Sequence, residues 1–201
     1  MKTLLQIKSS LNGDNGQSSF LSNQFANKWL AENPDGRIIE RDLSTTPVPH
    51  LDGERFNAFL TSPDKRTPRE QAIVDFSDEL INEIKSATVV SIGLPMYNFG
   101  IPSTLKAYFD HIARSGITFR YTSEGPVGLI EDKPVHILAA RGGHYAGTQA
   151  DSQTGYMNAF LGFIGLHDVN FIYAEGLATG GDERELALNK AQDQITKAVA
   201  A

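Results

Sequence analysis

Residues 88–114, TVVSIGLPMYNFGIPSTLKAYFDHIAR, contain the pattern on which the fold assignment rests. Residues 88–93 form an uninterrupted apolar and β-branched run, which predicts a strand that is covered on both faces. The MYNF run after it fits neither strand nor helix periodicity, and an amphipathic helical pattern follows Gly100 and Pro102. A buried strand, a loop and a helix in this order are the repeating unit of an α/β protein.

The same unit recurs along the rest of the chain. Strands are predicted at 3–8, 37–42, 88–93, 134–140 and 169–173, and helices at 18–32, 67–85, 103–114, 155–166 and 182–199. TPRE, which starts the second helix, reads as a capping box. Two segments interrupt the alternation, a surface excursion at 43–66 and a loop or hairpin with exposed aromatics at 117–128. Five strands separated by helices predict one flavodoxin-like domain over residues 1–201, a parallel sheet of order 2-1-3-4-5 with helices on both faces.

Composition and charge exclude several classes of function. The chain has 201 residues, with 18 basic and 24 acidic side chains and a net charge of −6, which argues against a nucleic-acid partner. It has no cysteine, so disulfides, thiolate zinc sites and cysteine nucleophiles are excluded, and its histidines show no metal-ligand spacing. No apolar run reaches the roughly 20 residues of a membrane helix. We therefore expect no metal and no membrane association, and a cytoplasmic location.

The loop after the first strand, SSLNGDNGQSS at residues 9–19, is a candidate anion seat. It offers the hydroxyl and amide groups of Ser10, Gln17 and Ser18 and ends where a helix begins, and helix N-termini favour phosphate groups. It contains neither a Walker motif nor G-x-G-x-x-G. A phosphate here would be held by neutral groups. The alternative is that residues 17–19 only cap the helix.

Two further loops offer flat or closely approachable surfaces. The run Met96, Tyr97, Asn98 and Phe99 follows the third strand, and Arg141, Gly142 and Gly143 follow the fourth. Such residues can border a planar heterocycle, and the Arg141 charge could offset a negative ligand. Each run taken alone also fits a core lid or a simple turn. The carboxyl ends of parallel strands share one edge of a sheet, so all three loops are expected to meet over one ligand.

The motifs SSLNGDNGQSS, PMYNFGIPSTLKAYFDHIARSGITFRYTSEGPVGL, ARGGHY and FLGFIGLHDVNFIYAEG resemble the FMN-dependent NADH azoreductases, also called quinone reductases. The resemblance covers essentially the whole chain. It implies a flavodoxin-like homodimer that binds one FMN per subunit at the subunit interface. It also implies ping-pong hydride transfer from NADH through FMN N5 to quinones or azo compounds, with no residue acting as a catalytic nucleophile.

The resemblance also assigns roles to individual residues. The phosphate contacts are Ser10, Gly16, Gln17 and Ser18, with Gly16 at a position where relatives often have serine. The residues beside the flavin ring are Met96, Tyr97, Asn98, Phe99, Ala140, Arg141, Gly142 and Gly143. Stabilisation of negative charge on the flavin falls to His144 or Tyr145, and the choice between them stays open. Tyr121 covers the substrate cleft.

Two other functions are compatible with the same fold. A flavodoxin-type electron carrier would bind FMN without a substrate of its own, but the 43–66 and 117–129 segments favour a second ligand. A cofactor-free receiver module would need an acidic cluster after the first strand, where this chain reads KSS.

Overall fold

A computed structural model describes residues 1–200, and its centre is a parallel sheet of five strands. In chain order the strands of the molecule are β1 (Thr3–Lys8), β2 (Arg37–Asp42), β3 (Val89–Pro95), β4 (Phe119–Thr122), β5 (Gly125–Gly128), β6 (Val135–Ala140) and β7 (Val169–Ala174). The sheet order is β2-β1-β3-β6-β7, and every neighbouring pair is parallel. The predicted order 2-1-3-4-5 numbered only the strands of this sheet. Because β4 and β5 form a separate hairpin, β6 and β7 occupy the positions of its fourth and fifth strands.

Helices cover both faces of this sheet. They are α1 (Gln17–Glu32), α2 (Gly53–Leu60), α3 (Pro68–Ser86), α4 (Ser103–Ile112), α5 (Ser152–Ile164) and α6 (Glu183–Val199). One apolar core joins the sheet to α3, α4 and α5, and a second core joins the opposite face to α1 and α6. The short helix α2 lies in the 43–66 excursion and packs on α3 through a small cluster around Ala58.

Local sequence signals account for most of the element boundaries. The predicted capping box is confirmed, since the Thr67 side chain accepts from Glu70 N and the Glu70 carboxylate accepts from Thr67 N. Helix α5 begins at Ser152, three residues before its predicted start, because Asp151 caps it by accepting from Thr154 N. Strand β3 continues to Pro95, beyond the predicted end at Gly93.

The predicted hairpin is present as the antiparallel pair β4 and β5. Its aromatics differ in exposure, since Tyr121 is exposed whereas Phe119 is buried against Phe163. Gly128 is needed here, because a Cβ at that position would lie 2.1 Å from Gly165 N. The hairpin is therefore fixed against the C-terminal end of α5. Among the described residues, no helix has both the length and the apolar character needed to span a bilayer.

Candidate functional site

The loops after β1, β3, β6 and β7 enclose a cleft of ≈ 200 Å³ at the carboxyl edge of the sheet. Its lining includes most of the residues that the sequence selected, namely Ser10, Gly16, Gln17, Ser18, Met96, Tyr97, Ala140, Arg141 and Gly142. It also includes Asn12, Leu177 and Ala178, which the sequence did not single out. The topology thus brings the three predicted loops together, as expected for a switch point between β1 and β3.

The N-terminus of α1 forms one end of the cleft and has unpaired hydrogen-bond donors. Its N-cap is Gly16, and no side chain caps the helix. The first N–H groups of a helix have no partner within the helix, so those of Gln17 and Ser18 are free for a ligand. Among residues 1–200, the Ser18 hydroxyl is buried without a hydrogen-bond partner. These groups fit a phosphate, and the alternative of a self-capped helix start is disfavoured.

No free cation contributes to this end of the cleft within the described residues. Lys8 is buried, and its Nζ donates to Asp14 at 2.8 Å and lies 3.2 Å from a Glu40 oxygen and 3.5 Å from an Asp42 oxygen. Burial alone would lower the pKa of Lys8, but the hydrogen bonds to Asp14 and Glu40 outweigh it and raise the pKa. The hydrogen bond from Lys8 in turn lowers the pKa of Asp14. The anion seat is therefore built from N–H and hydroxyl groups.

The MYNF run leads into a tight turn; Met96 and Tyr97 line the cleft, whereas Asn98 and Phe99 lie outside its lining. Tyr97 N donates to Gly100 O at 3.2 Å and Gly100 N donates to Tyr97 O at 2.9 Å. Asn98 and Phe99 have φ values of 49° and 64°, so the turn is of type I′. Glycine is the preferred residue at the second central position, and a phenylalanine there stores backbone strain. Strain of this kind is typical of functional sites.

Tyr97 connects this turn to the anion seat. Its hydroxyl accepts from Leu11 N at 3.1 Å and lies 3.4 Å from Ser10 Oγ. Ser10 Oγ lies beside Gly16, and a Cβ added to Gly16 would be only 2.0 Å from this oxygen. A serine at position 16 would therefore displace the Ser10 side chain from its present rotamer.

The Arg141 side chain does not face the cleft, so the expectation that its charge offsets a ligand is wrong. Its guanidinium is fully buried, donating to Asp151 at 2.9 Å and to Glu175 at 3.1 Å, and it lies 4.9 Å from the centre of the Tyr173 ring. Burial acts to raise the pKa of Asp151, but hydrogen bonds from Thr154 and Arg141 outweigh it and lower the pKa. Arg141 borders the cleft through its backbone.

His144 and Tyr145 point in different directions. His144 Nε2 lies 2.6 Å from Glu183 Oε1 at the start of α6, on the far side of the loop. The Tyr145 hydroxyl lies 3.0 Å from a Cβ built on Gly143, and its ring meets Phe99 edge to face with centroids 5.8 Å apart. Tyr145, and not His144, therefore lies beside the MYNF and RGG loops.

Comparison with known proteins agrees with this geometry. A family model described as a flavodoxin-like fold matches residues 1–199. An FMN-dependent NADH:quinone oxidoreductase of Cellvibrio japonicus is 54% identical over 201 residues, which is 100% of both chains. The chain belongs to this family.

Solved structures of similar proteins have the same fold. A crystal structure of azoreductase from Bacillus anthracis str. Sterne aligns with a TM-score of 0.90, at 28% identity over 99% of both chains. An FMN-dependent NADH-azoreductase from Bacillus anthracis str. Ames Ancestor, solved in complex with FMN, aligns with a TM-score of 0.89 and 26% identity, over 100% of this chain and 98% of that one.

Within this family fold, Tyr121 lies apart from the cleft of its own chain. It lines a separate pocket of ≈ 260 Å³ between α2, the end of α4 and the hairpin, whose lining is mainly aromatic and apolar: Phe56, Phe59, Leu60, Phe119 and Tyr121, with Ala113, Arg114 and Ser115. Within a single chain, Tyr121 therefore does not cover the cleft at the carboxyl edge of the sheet.

Sequence reasoning missed two parts of the site. Leu177 and Ala178 come from the loop after β7. Ligands of parallel sheets bind at the carboxyl ends of the strands, and applying this rule to the fifth strand of the sheet would have identified both residues. Glu175, to which sequence reasoning assigned no role, accepts hydrogen bonds from Arg141 and from the backbone N–H groups of Tyr145 and Ala146. No local pattern signals these long-range contacts.

Proposed function

We propose that this protein is an FMN-dependent NADH:quinone oxidoreductase that also reduces azo compounds, acting as a cytoplasmic homodimer with one FMN per subunit. The observation that carries the proposal is the uncapped N-terminus of α1 with its buried, unpartnered Ser18 hydroxyl, placed in one cleft with the MYNF and RGG loops. Whole-length identity of 54% to a relative of that name supports it.

The phosphate of the cofactor would be held at the start of α1. Ser18 would donate its free hydroxyl, and the N–H groups of Gln17 and Ser18 would point at the phosphate along the helix dipole. Ser10 would supply a second hydroxyl from the facing side of the loop, in the space left open by Gly16. Charge-assisted hydrogen bonds of this kind are about twice as strong as neutral ones.

The flavin ring would lie between the two loop walls. Met96, Tyr97, Asn98 and Phe99 would form one wall, and the backbone at Ala140, Arg141, Gly142 and Gly143 would form the other. The bound cofactor supplies hydride chemistry between NADH and a quinone or azo acceptor. The protein positions the ring, excludes water from its edge and offers hydrogen bonds to negative charge that develops there. Tyr145 is the side chain proposed for that last role, and His144 is not, since it bonds Glu183.

The homodimer would complete the substrate cleft. Tyr121 lines an apolar pocket away from the cleft of its own chain. If the cofactor lies at the subunit interface, Tyr121 of one copy can cover the cleft of the other and pack on an aromatic acceptor. The presence of this apolar pocket in addition to the cleft supports an enzyme with its own substrate over a simple electron carrier.

Flavin binding and turnover test the proposal directly. The purified protein should quench FMN fluorescence on titration and should oxidise NADH with menadione as acceptor. Ser18→Ala should weaken FMN binding at least about tenfold, because a hydrogen bond to a charged group contributes about 1.5–3 kcal/mol. Ser86→Ala, an exposed serine at the end of α3, is the matched control and should bind normally.

Two results would contradict the proposed function. Absence of any FMN binding would exclude a flavoenzyme of this type. Tight FMN binding without NADH oxidation would favour the electron carrier.

A further inference from the structure

Asp151, the N-cap of α5, and the first residues of that helix, Ser152, Gln153 and Thr154, contact both walls of the cleft from outside it. We propose that this DSQT segment is the element that positions the two walls relative to each other, with Gln153 as the principal positioning residue. The inference rests on the proposed function, because it concerns how the chain holds a flavin ring. None of these residues lines the cleft.

Gln153 joins two backbone carbonyls to the side chain of Arg141. Its Nε2 donates to Pro95 O at 2.8 Å, where β3 ends, and to Gly100 O at 3.1 Å, where the type I′ turn ends. Its Oε1 accepts from Arg141 Nε at 3.0 Å, at the start of the RGG loop. The side chain is fully buried, so these bonds are shielded from water. One amide therefore fixes the distance between the two walls.

The neighbours of Gln153 reinforce the same connection. Ser152 Oγ donates to Phe99 O within the turn. Asp151 Oδ1 accepts from Arg141 Nη2 at 2.9 Å and also caps α5 through Thr154 N at 3.1 Å. The turn is thus held at two successive carbonyls, those of Phe99 and Gly100.

The strain of the turn explains why such anchoring is needed. Phe99 has a φ of 64°, a conformation that persists only where the surroundings over-determine it. The contacts from Ser152 and Gln153 supply that constraint from the side opposite the cleft. Without them, the turn can relax toward extended backbone and move the MYNF wall.

The chemistry of the site requires an amide at position 153. Two carbonyl oxygens and one guanidinium N–H surround the side chain, so it must donate twice and accept once. Glutamine meets this requirement, whereas glutamate has the same shape but offers no N–H donor. Gln153→Glu therefore keeps the volume and the bond to Arg141 while it removes the bonds to Pro95 O and Gly100 O, on either side of the MYNF run.

The test compares Gln153→Glu and Ser152→Ala with Asn189→Asp, an amide-to-acid change at an exposed position of α6. FMN and riboflavin are titrated into each apoprotein, and dissociation constants are taken from the quenching of flavin fluorescence. We expect Gln153→Glu to weaken both flavins about tenfold, since buried carbonyls lose their donors, and Ser152→Ala to weaken them about threefold, since its bond to Phe99 O is exposed. The control should match the wild type.

The comparison of the two flavins separates a wall effect from other causes. A change in the ring walls weakens riboflavin and FMN by the same factor, whereas Ser18→Ala at the phosphate seat weakens only FMN. The visible absorption bands of the bound flavin should also shift in Gln153→Glu and Ser152→Ala, because the ring environment has changed. A merely destabilised fold would lower the melting temperature without shifting these bands.

Wild-type affinity for both flavins in the two variants would overturn the inference, and so would a loss confined to FMN. If Gln153→Glu does not fold, Ser152→Ala decides, because that residue is exposed and outside the apolar cores. Failure of the wild type itself to bind FMN would instead overturn the proposed function.

Discussion

Replacing Arg141 with methionine tests the buried ion network behind the RGG loop. Arg141 has no exposed side-chain surface, and its partners Asp151 and Glu175 have side chains that are only 6% and 14% exposed. Arg141→Met keeps much of the side-chain volume but leaves two carboxylates buried without their counter-charge. Removing one partner of a buried ion pair costs about 3–5 kcal/mol.

This loss can be expressed as a change in melting temperature. Unfolding entropy is about 2.1 cal/mol/K per residue, or about 0.42 kcal/mol/K for a chain of 201 residues. A loss of about 3–5 kcal/mol then lowers the melting temperature by about 7–12 °C. Circular dichroism melts at pH 8 measure this deficit, with Arg184→Met at an exposed position of α6 as the control.

The pH dependence of the deficit distinguishes charge from packing. In the wild type, hydrogen bonds hold the pKa of Asp151 below its ordinary value, so it is ionised from pH 5 to 8. In the variant, the guanidinium no longer opposes the effect of burial, the pKa rises, and protonation relieves the penalty as the pH falls. The deficit should therefore shrink between pH 8 and pH 5. A deficit below about 3 °C, or one that is equal at both pH values, would refute the electrostatic reasoning.

Four further predictions follow from other parts of the molecule. Phe99→Gly should stabilise the apoprotein by about 1 kcal/mol in urea unfolding, because glycine relieves the left-handed strain, while FMN affinity falls; a less stable variant would contradict this. Gly128→Ala should cost about 3 kcal/mol or more by collision with the Gly165 backbone, whereas Gly53→Ala, with open space around it, should be nearly neutral in the same melts. Burial lowers the pKa of His111 and His136, so below pH 6.5 the unfolded chain binds more protons than the folded one. The free energy of unfolding should therefore fall as the pH is lowered, by up to about 1.4 kcal/mol per pH unit for each histidine. A double His→Gln variant in which this pH dependence is unchanged would exclude the histidines as its cause. FMN affinity should change less than about threefold between 50 and 500 mM salt, because no free cation holds the phosphate; a loss of about tenfold or more would indicate a charged seat.

The elements of the fold could be predicted because their signals are local. Residues 3–8 and 37–42 read as strands and are strands with those bounds. The start of α3 followed from a capping box whose partners are three residues apart. The cleft could be predicted from topology alone, because parallel strands place their carboxyl ends at one edge.

The orientations of the polar side chains could not be predicted in the same way. The direction of Arg141 depends on Asp151 and Glu175, which lie 10 and 34 residues away in the chain. The direction of His144 depends on Glu183, 39 residues away. Periodicity indicates which face of an element is buried but not which ion pair forms within it. The anchoring role of Gln153 was hidden for the same reason.

Lys8 ends β1 and Arg141 directly follows β6, and the pairing of these two cations explains the chemistry proposed for the anion seat. Lys8 is surrounded by Asp14, Glu40 and Asp42, and Arg141 by Asp151 and Glu175, so each is neutralised by the protein itself. In the proposed function neither would balance the cofactor phosphate, and that role would pass to the helix N–H groups and the Ser18 hydroxyl. A seat of fixed dipoles attracts an anion without rearranging. Because carboxylates outnumber cations in both networks, we expect the local field to disfavour a phosphate away from those dipoles and to favour its proposed position at the start of α1.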